Sequence, residues 1–210
     1  GLHIGANCQE ILQKDGAFTG VQLADGSQIV AELLLVGIGV LPDLELAKSA
    51  GIIAGNGILV DAMMQSSVQD IFAIGDVALI DGAALRVESV DNAQMTAARA
   101  AAAICGLAQP SMAAPWFWSE QFDVRLQSAG IVPLASPDLR HQLRPGKREG
   151  GFSVWSYGDK GKLAAVEAVR DPAGYMLGKK CLDLGLSPDP GDIGNGNFDL
   201  KGFVAAGNKK

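Results

Sequence analysis

An α/β fold up to about residue 112, followed by a smaller α+β unit, is the architecture the sequence predicts, and three observations predict it. Apolar runs at residues 33–36 and 71–74 each end directly in glycine, as strands do at the ligand-bearing edge of a parallel sheet. Residues 92–105 form an alanine-rich segment free of glycine and proline that stops at Gly106, the pattern of a helix closed by a C-terminal glycine. After Pro110 and Pro115, strand-like segments take over, with one helix-like segment behind them.

In chain order, Leu2, His3 and Ile4 read as a strand with nothing before it. Val21 and Leu23 alternate with polar residues, Asp25-Gly26 supplies a tight turn and Ile29 resumes the pattern, a β-hairpin. Residues 33–36 suit a strand buried on both faces; it ends in Gly37-Ile38-Gly39, where missing side chains let a backbone or ligand come close. Pro42-Asp43 introduces a helix over residues 44–49, with Asp43 as its N-cap and Gly51 as its stop. Residues 57–61 and 71–74 are short strands, the second running into Gly75 and Asp76. The helix at 92–105 follows, then a linker bracketed by Pro110 and Pro115, then Trp116-Phe117-Trp118. Strands are expected at 124–126, 152–157 and 163–169, with Asp159-Lys160-Gly161 turning between the last two. A helix over 174–184 precedes a Gly-, Pro-, Asp- and Asn-rich loop at 186–197.

Composition excludes several functions. Seventeen basic against 23 acidic residues leave a net charge of −6, which argues against nucleic acid as a partner. With 48% hydrophobic and 19% charged residues, a core can form and wholesale disorder is excluded. No apolar run approaches the roughly 20 residues of a membrane span, and the first residues lack a signal-peptide pattern. A soluble, cytoplasmic chain with no membrane partner is expected. Cys8, Cys105 and Cys181 are isolated, against a disulfide framework, a CxxC redox pair or a zinc knuckle. His3 and His141 are too few for a His-rich metal site. The acidic stretch 189–199 fails as an EF-hand: a loop starting at Asn195 would put Leu200 where glycine is required and Ala206 at the closing glutamate. No metal is expected, so any redox chemistry falls to an organic cofactor.

Two segments have the chemistry of a site. Ile71-Phe72-Ala73-Ile74-Gly75-Asp76 places a carboxylate at a sheet edge, suited to sugar-like hydroxyls; a turn ending in a solvated aspartate explains the hexapeptide equally well. Residues 86–93 open the alanine-rich helix, whose N-terminus favours an anion or electron-rich oxygen. Capping by Ser89, Asp91 or Asn92 would account for that segment by itself. Trp116, Phe117 and Trp118 form either a core cluster or a platform for a flat ring.

Taken in order, Val36-Gly37-Ile38-Gly39-Val40-Leu41-Pro42, the Gly75-Asp76 hexapeptide, Glu88-Ser89-Val90-Asp91-Asn92-Ala93 and Pro115-Trp116-Phe117-Trp118-Ser119-Glu120-Gln121 resemble the FAD-dependent, NADH-using ferredoxin reductases of aromatic-ring dioxygenase and cytochrome P450 systems. The resemblance covers nearly the whole chain and weakens after about residue 184. The Gly-Asp motif is shared by many flavoprotein disulfide reductases; Trp-Phe-Trp-Ser followed by an α+β tail is the narrower marker. The resemblance implies partial Rossmann-like FAD- and NAD-binding domains, FAD and NADH as cofactors, and a small acidic ferredoxin-type iron–sulfur protein as partner. It implies that Asp76, beside Gly75, bonds the ribityl chain of FAD. It also implies that Val90, next to Ser89, sets backbone groups against the flavin's pyrimidine edge, and that Trp118 lies beside the ring. Gly37, Ile38 and Glu88 would neighbour the nicotinamide. Asp91 would add a carboxylate near the electron-rich edge and lower the reduction potential. Arg99, Arg125, Lys179 and Lys180 are candidates for holding the partner. No catalytic acid, base or nucleophile is implied.

The family's two Gly-x-Gly-x-x-Gly loops are not found in these 210 residues. The chain is therefore expected to be the carboxyl-terminal half of such an enzyme: residues 1–40 the end of the NADH domain, 41–112 the returning half of the FAD domain, 113–210 the C-terminal domain. Its first partner would then be the missing N-terminal half. Segments 33–36 and 71–74 would lack sheet neighbours and expose apolar edges, and the isolated chain would neither hold FAD tightly nor oxidise NADH. Two alternatives share these residues: a non-enzymatic docking or dimerisation fragment, and a related NADH oxidoreductase using a quinone, monodehydroascorbate or oxygen.

Overall fold

The computed structural model describes residues 1–208 and divides into two compact units, Gly1–Leu41 and Pro42–Lys210. The first is a three-stranded antiparallel sheet of β1 (Cys8–Lys14), β2 (Ala17–Leu23) and β3 (Gln28–Val30), in that order. The expected hairpin is β2–β3, with Val21 opposite Ile29. Its turn is locked by Asp25, whose Oδ1 accepts from the Ser27 hydroxyl at 2.6 Å and the Ser27 N–H at 2.9 Å. Those two bonds hold the Asp25 carboxyl below its ordinary range.

Two expectations in this unit are corrected. Leu2, His3 and Ile4 form no strand; they are exposed, and the strand is β1, a largely polar segment whose adjacent Ile11 and Leu12 break the alternation that marks a half-buried strand. Residues 33–36 form no buried strand either: Leu35 is 92% exposed, and no strand among the described residues of this unit pairs with the run. An apolar run becomes a buried strand only where neighbours cover both its edges and faces.

The second unit opens with α1 (Glu45–Ser49), which starts one residue later than expected; Asp43 Oδ1 still accepts the Glu45 N–H at 3.1 Å. β4 (Ile58–Val60) and β5 (Ala78–Ile80) pair in parallel. Residues 71–74, expected as a strand, instead form a single antiparallel bridge, Gln65 to Phe72, while Ile71 and Ile74 remain exposed. A short 3-10 turn, Gly75–Val77, leads into β5. The long helix α2 (Val90–Ile104) lies against this layer, where Val60, Met64, Ala73, Ala78 and Ala100 form a core.

Behind it stands a five-stranded antiparallel sheet, spatial order β6-β7-β10-β9-β8, built from β6 (Trp116–Gln121), β7 (Val124–Gly130), β8 (Arg140–Pro145), β9 (Phe152–Tyr157) and β10 (Leu163–Val169). Helix α3 (Pro172–Asp183) packs on β10 and β7. The stretch expected to be a loop contains α4 (Pro190–Gly194), capped by Asp189, and is followed by α5 (Leu200–Gly207), capped by Asp199. Asp189 and Asp199, at the two ends of the acidic stretch, each accept a backbone N–H, from Gly191 and Gly202 respectively. The core joins Trp155, Tyr157, Leu163, Val166 and Cys181 to Ile193, Leu200 and Val204 from α4 and α5. At Gly130 only glycine fits: φ is +78° and a Cβ would lie 2.1 Å from the Ala164 carbonyl oxygen. No helix among the described residues is long and apolar enough to cross a membrane.

Candidate functional site

The site grows from the junction between the Gly75–Val77 turn and α2. Gly75 adopts φ +68°, which glycine reaches without strain. Its N–H donates to Thr96 Oγ1 at 2.9 Å, and Thr96 in turn donates to the Asn92 carbonyl one helical turn earlier at 2.7 Å. Asn92 Nδ2 donates to Val87 O at 2.7 Å and to Gly75 O at 3.4 Å. Both side chains are buried, and together they fasten the turn to the first two turns of the helix. Ser89 is the N-cap, its hydroxyl accepting the Asn92 N–H at 3.1 Å.

That arrangement leaves specific groups free. The Asp76 side chain is exposed and accepts no protein hydrogen bond among the described residues. The N–H groups of Val90 and Asp91 are likewise unmatched there, at the positive end of a 15-residue helix. Glu88 pairs with Arg86 at 2.7 Å. A cleft of about 170 Å³ runs beside them, lined by Arg86, Glu88, Ser89, Trp116, Phe117 and Ser128 among others. The structure thus brings together Gly75, Asp76, Glu88, Ser89 and Val90.

Trp118 joins this group through Trp116, the two rings stacking with centroids 5.4 Å apart; Trp116 and Phe117 are the members of the motif that line the cleft. Gly37 and Ile38 lie in an exposed loop of the first unit. Asp91 faces a separate apolar cavity of about 240 Å³, with Met95, Thr96, Met112 and Ile131. It also lies near Tyr175, whose phenol is pushed up first by burial and then by the Asp91 and Asp183 charges.

Of the four basic residues expected to meet a partner, Arg99 is corrected. It is only 7% exposed and spends its guanidinium on the carbonyls of Ala62 at 2.8 Å and Pro110 at 2.6 Å, tying α2 to two loops. Lys179 pairs with Asp183 at 2.9 Å and Arg125 with Glu120 at 3.5 Å, while Lys180 is exposed. The sequence reading missed Arg86 as a structural member of the site. Its signal was a cation just before a helix N-terminus, where positive charge is unfavourable unless another partner holds it.

The family model described as pyridine nucleotide-disulphide oxidoreductase matches residues 1–97, and the one described as Reductase C-terminal matches residues 116–204. These define a class of FAD-dependent pyridine-nucleotide oxidoreductases carrying an added C-terminal domain. Within that class the relatives that the chain resembles in sequence are ferredoxin reductases. The chain is 36% identical over 200 residues to a ferredoxin–NAD(P)(+) reductase of Sphingomonas sp., covering 92% of this chain and 47% of that protein. It is 34% identical over 192 residues to putidaredoxin reductase of Pseudomonas putida, covering 90% and 44%. The crystal structure of the ferredoxin reductase for the CYP199A2 system from Rhodopseudomonas palustris superposes with a TM-score of 0.88 at 39% identity, over 96% of this chain and 50% of that one. The chain spans about half the length of the relatives it matches.

Proposed function

We propose that the chain is the carboxyl-side portion of a FAD-dependent NADH:ferredoxin reductase, with residues 1–40 ending the NADH domain, 41–112 completing the FAD domain and 113–210 forming the C-terminal domain. The observation that carries this reading is the pairing of an unpartnered Asp76 carboxylate with the open N-terminus of α2 at one junction. Those groups fit FAD. An exposed carboxylate accepts from the hydroxyls of a ribityl chain, and the unmatched N–H groups of Val90 and Asp91 suit the electron-rich edge of a flavin. Bound there, FAD supplies the conversion between two-electron and one-electron transfer.

The chain's own residues bind and orient. Gly75 and Thr96 hold the Asp76 turn, Ser89 leaves the first helical N–H groups open, and Trp118 with Trp116 offers a flat aromatic wall. Glu88 is assigned to the nicotinamide side of the cleft; Gly37 and Ile38 are assigned to the nicotinamide on the resemblance of their motif. Arg125 and Lys180 remain as contacts for an acidic ferredoxin. The relatives' names point to the same partner class, since one is a putidaredoxin reductase and another is the ferredoxin reductase for the CYP199A2 system.

The test compares the 210-residue chain alone with the same chain joined to an N-terminal segment carrying both Gly-x-Gly-x-x-Gly loops. Each is mixed with excess FAD and desalted. We expect a colourless chain alone, and a yellow joined protein that reduces ferredoxin with NADH. Flavin retained by the chain alone would refute its incompleteness. NADH oxidation without ferredoxin reduction would move the assignment to another acceptor.

A further inference from the structure

Among the described residues, Arg86 is the one buried guanidinium that touches two of the site residues at once. Its side chain is 7% exposed, and Nη1 donates to the Asp76 carbonyl and forms an ion pair with Glu88 Oε1 at 2.7 Å. Nε of the same group is buried with no acceptor among the described residues. A guanidinium left with an unmet donor is unfavourably placed, so its position is held by the two contacts of Nη1. The stem is fixed as well: it lies across Gly57, where a Cβ would come within 2.5 Å of Arg86 Cδ and 2.9 Å of the Val77 carbonyl oxygen. Gly57, Arg86 and the Asp76 turn are thus built as one piece.

We propose that Arg86 is a positioning residue of the reductase, which clamps the Asp76 turn on the flavin side to the Glu88 carboxylate on the nicotinamide side and so sets the affinity of both dinucleotides. This rests on the function proposed above. A single rigid group bonded to both anchors makes their geometries interdependent: releasing Glu88 frees its carboxylate to rotate toward water, and releasing the Asp76 carbonyl loosens the turn that presents the Asp76 side chain. Lysine is a poor substitute, because its chain is one atom shorter and its ammonium stops short of the position from which Nη1 alone meets both acceptors.

The experiment uses the joined reductase and its Arg86→Met, Arg86→Lys, Glu88→Gln and Arg86→Met/Glu88→Gln variants. Calorimetry gives the Kd for NAD+, dialysis the Kd for FAD, and steady-state kinetics kcat and KM separately. We expect Arg86→Met to weaken both dinucleotides about tenfold, the scale of one lost charge-assisted hydrogen bond. Most of the kinetic effect should fall in KM. The NAD+ effects of Arg86→Met and Glu88→Gln should be non-additive, the double variant being close to either single one. Arg86→Lys should restore NAD+ affinity through Glu88 but not FAD affinity. Additive effects, or a lower melting temperature with unchanged Kd values, overturn the clamp. Should Arg86→Met fail to fold, the same decision comes from Arg86→Lys combined with Glu88→Gln. A wild-type joined protein that binds FAD but does not oxidise NADH overturns the functional reading and the clamp with it; an active wild type with additive variants overturns the clamp alone.

Discussion

Asp76 and Cys181 show how environment separates two ordinary side chains. Asp76 keeps its carboxylate free of protein partners beside an open helix end. Replacing it by alanine in the joined reductase is expected to weaken FAD binding by about tenfold, with Asp76→Asn recovering part of the loss; dialysis against FAD measures both. Cys181 sits fully buried between α3 and the sheet, and burial pushes its thiol up to about 11 from 9.0. In the unfolded chain the thiol deprotonates near its ordinary value, so between about pH 9 and 11 the folded state holds the extra proton. Stability therefore falls as pH rises through that window, and is fully present below it. Urea midpoints at both ends of the window check this, and Cys181→Ala should flatten the difference. The same burial predicts that Cys8 and Cys105, both exposed, are alkylated in the native chain, while Cys181 reacts only after denaturation.

Elements register the same physics as caps and packing. Ser89→Ala removes the N-cap of α2 and should lower stability by about 1 kcal/mol, read as a reduced melting temperature. Gly178 lets α3 approach β10 closely: a Cβ there would lie 2.7 and 2.8 Å from the two methyl carbons of the buried Val166. Gly178→Ala should destabilise by about 1–3 kcal/mol through overpacking, despite alanine's better helix propensity. Legibility also varied by element. The α2 helix could be read because its composition admits little else. β8 could not, since Arg-His-Gln-Leu-Arg-Pro is an edge strand that half-buries polar Gln142 and Arg144 and exposes Leu143, so its pattern lacks the usual strand signal. The α4 and α5 helices hid in a Gly- and Asp-rich stretch because their stability comes from docking Ile193, Leu200 and Val204 into a core assembled elsewhere in the chain.

Across the whole molecule, the five-stranded sheet with α3, α4 and α5 closes around its own core, whereas β4 and β5 stand as a two-stranded pair with Ile71 and Ile74 exposed nearby. A two-stranded pair depends on further partners for independent stability. Limited proteolysis of the 210-residue chain should therefore leave a resistant fragment beginning near residue 113, while the first unit and the β4–β5 region are cut first; uniform degradation would contradict the proposed boundaries. Joining the N-terminal segment should extend protection to the β4–β5 region.

The sequence by itself determined the class of protein. Glycine-ended apolar runs, the Ser-capped alanine helix and the Trp-Phe-Trp-Ser motif are local signals, and their order along the chain survives without any coordinates. The resemblance carried by those motifs also assigned Asp76, Ser89 and Val90 to one cofactor, although Ser89 lies thirteen positions after Asp76. Tertiary structure alone decided the rest. Arg99 was a plausible surface cation until two distant carbonyls claimed it, and Arg86 became part of the site only when the chain folded over Gly57. The apolar run at 33–36 carried the pattern of a buried strand but lies exposed, because burial belongs to a segment's neighbours and not to its composition. Local pattern specifies which conformations a segment prefers; the partners that satisfy its polar groups and cover its apolar ones come from residues far away in sequence.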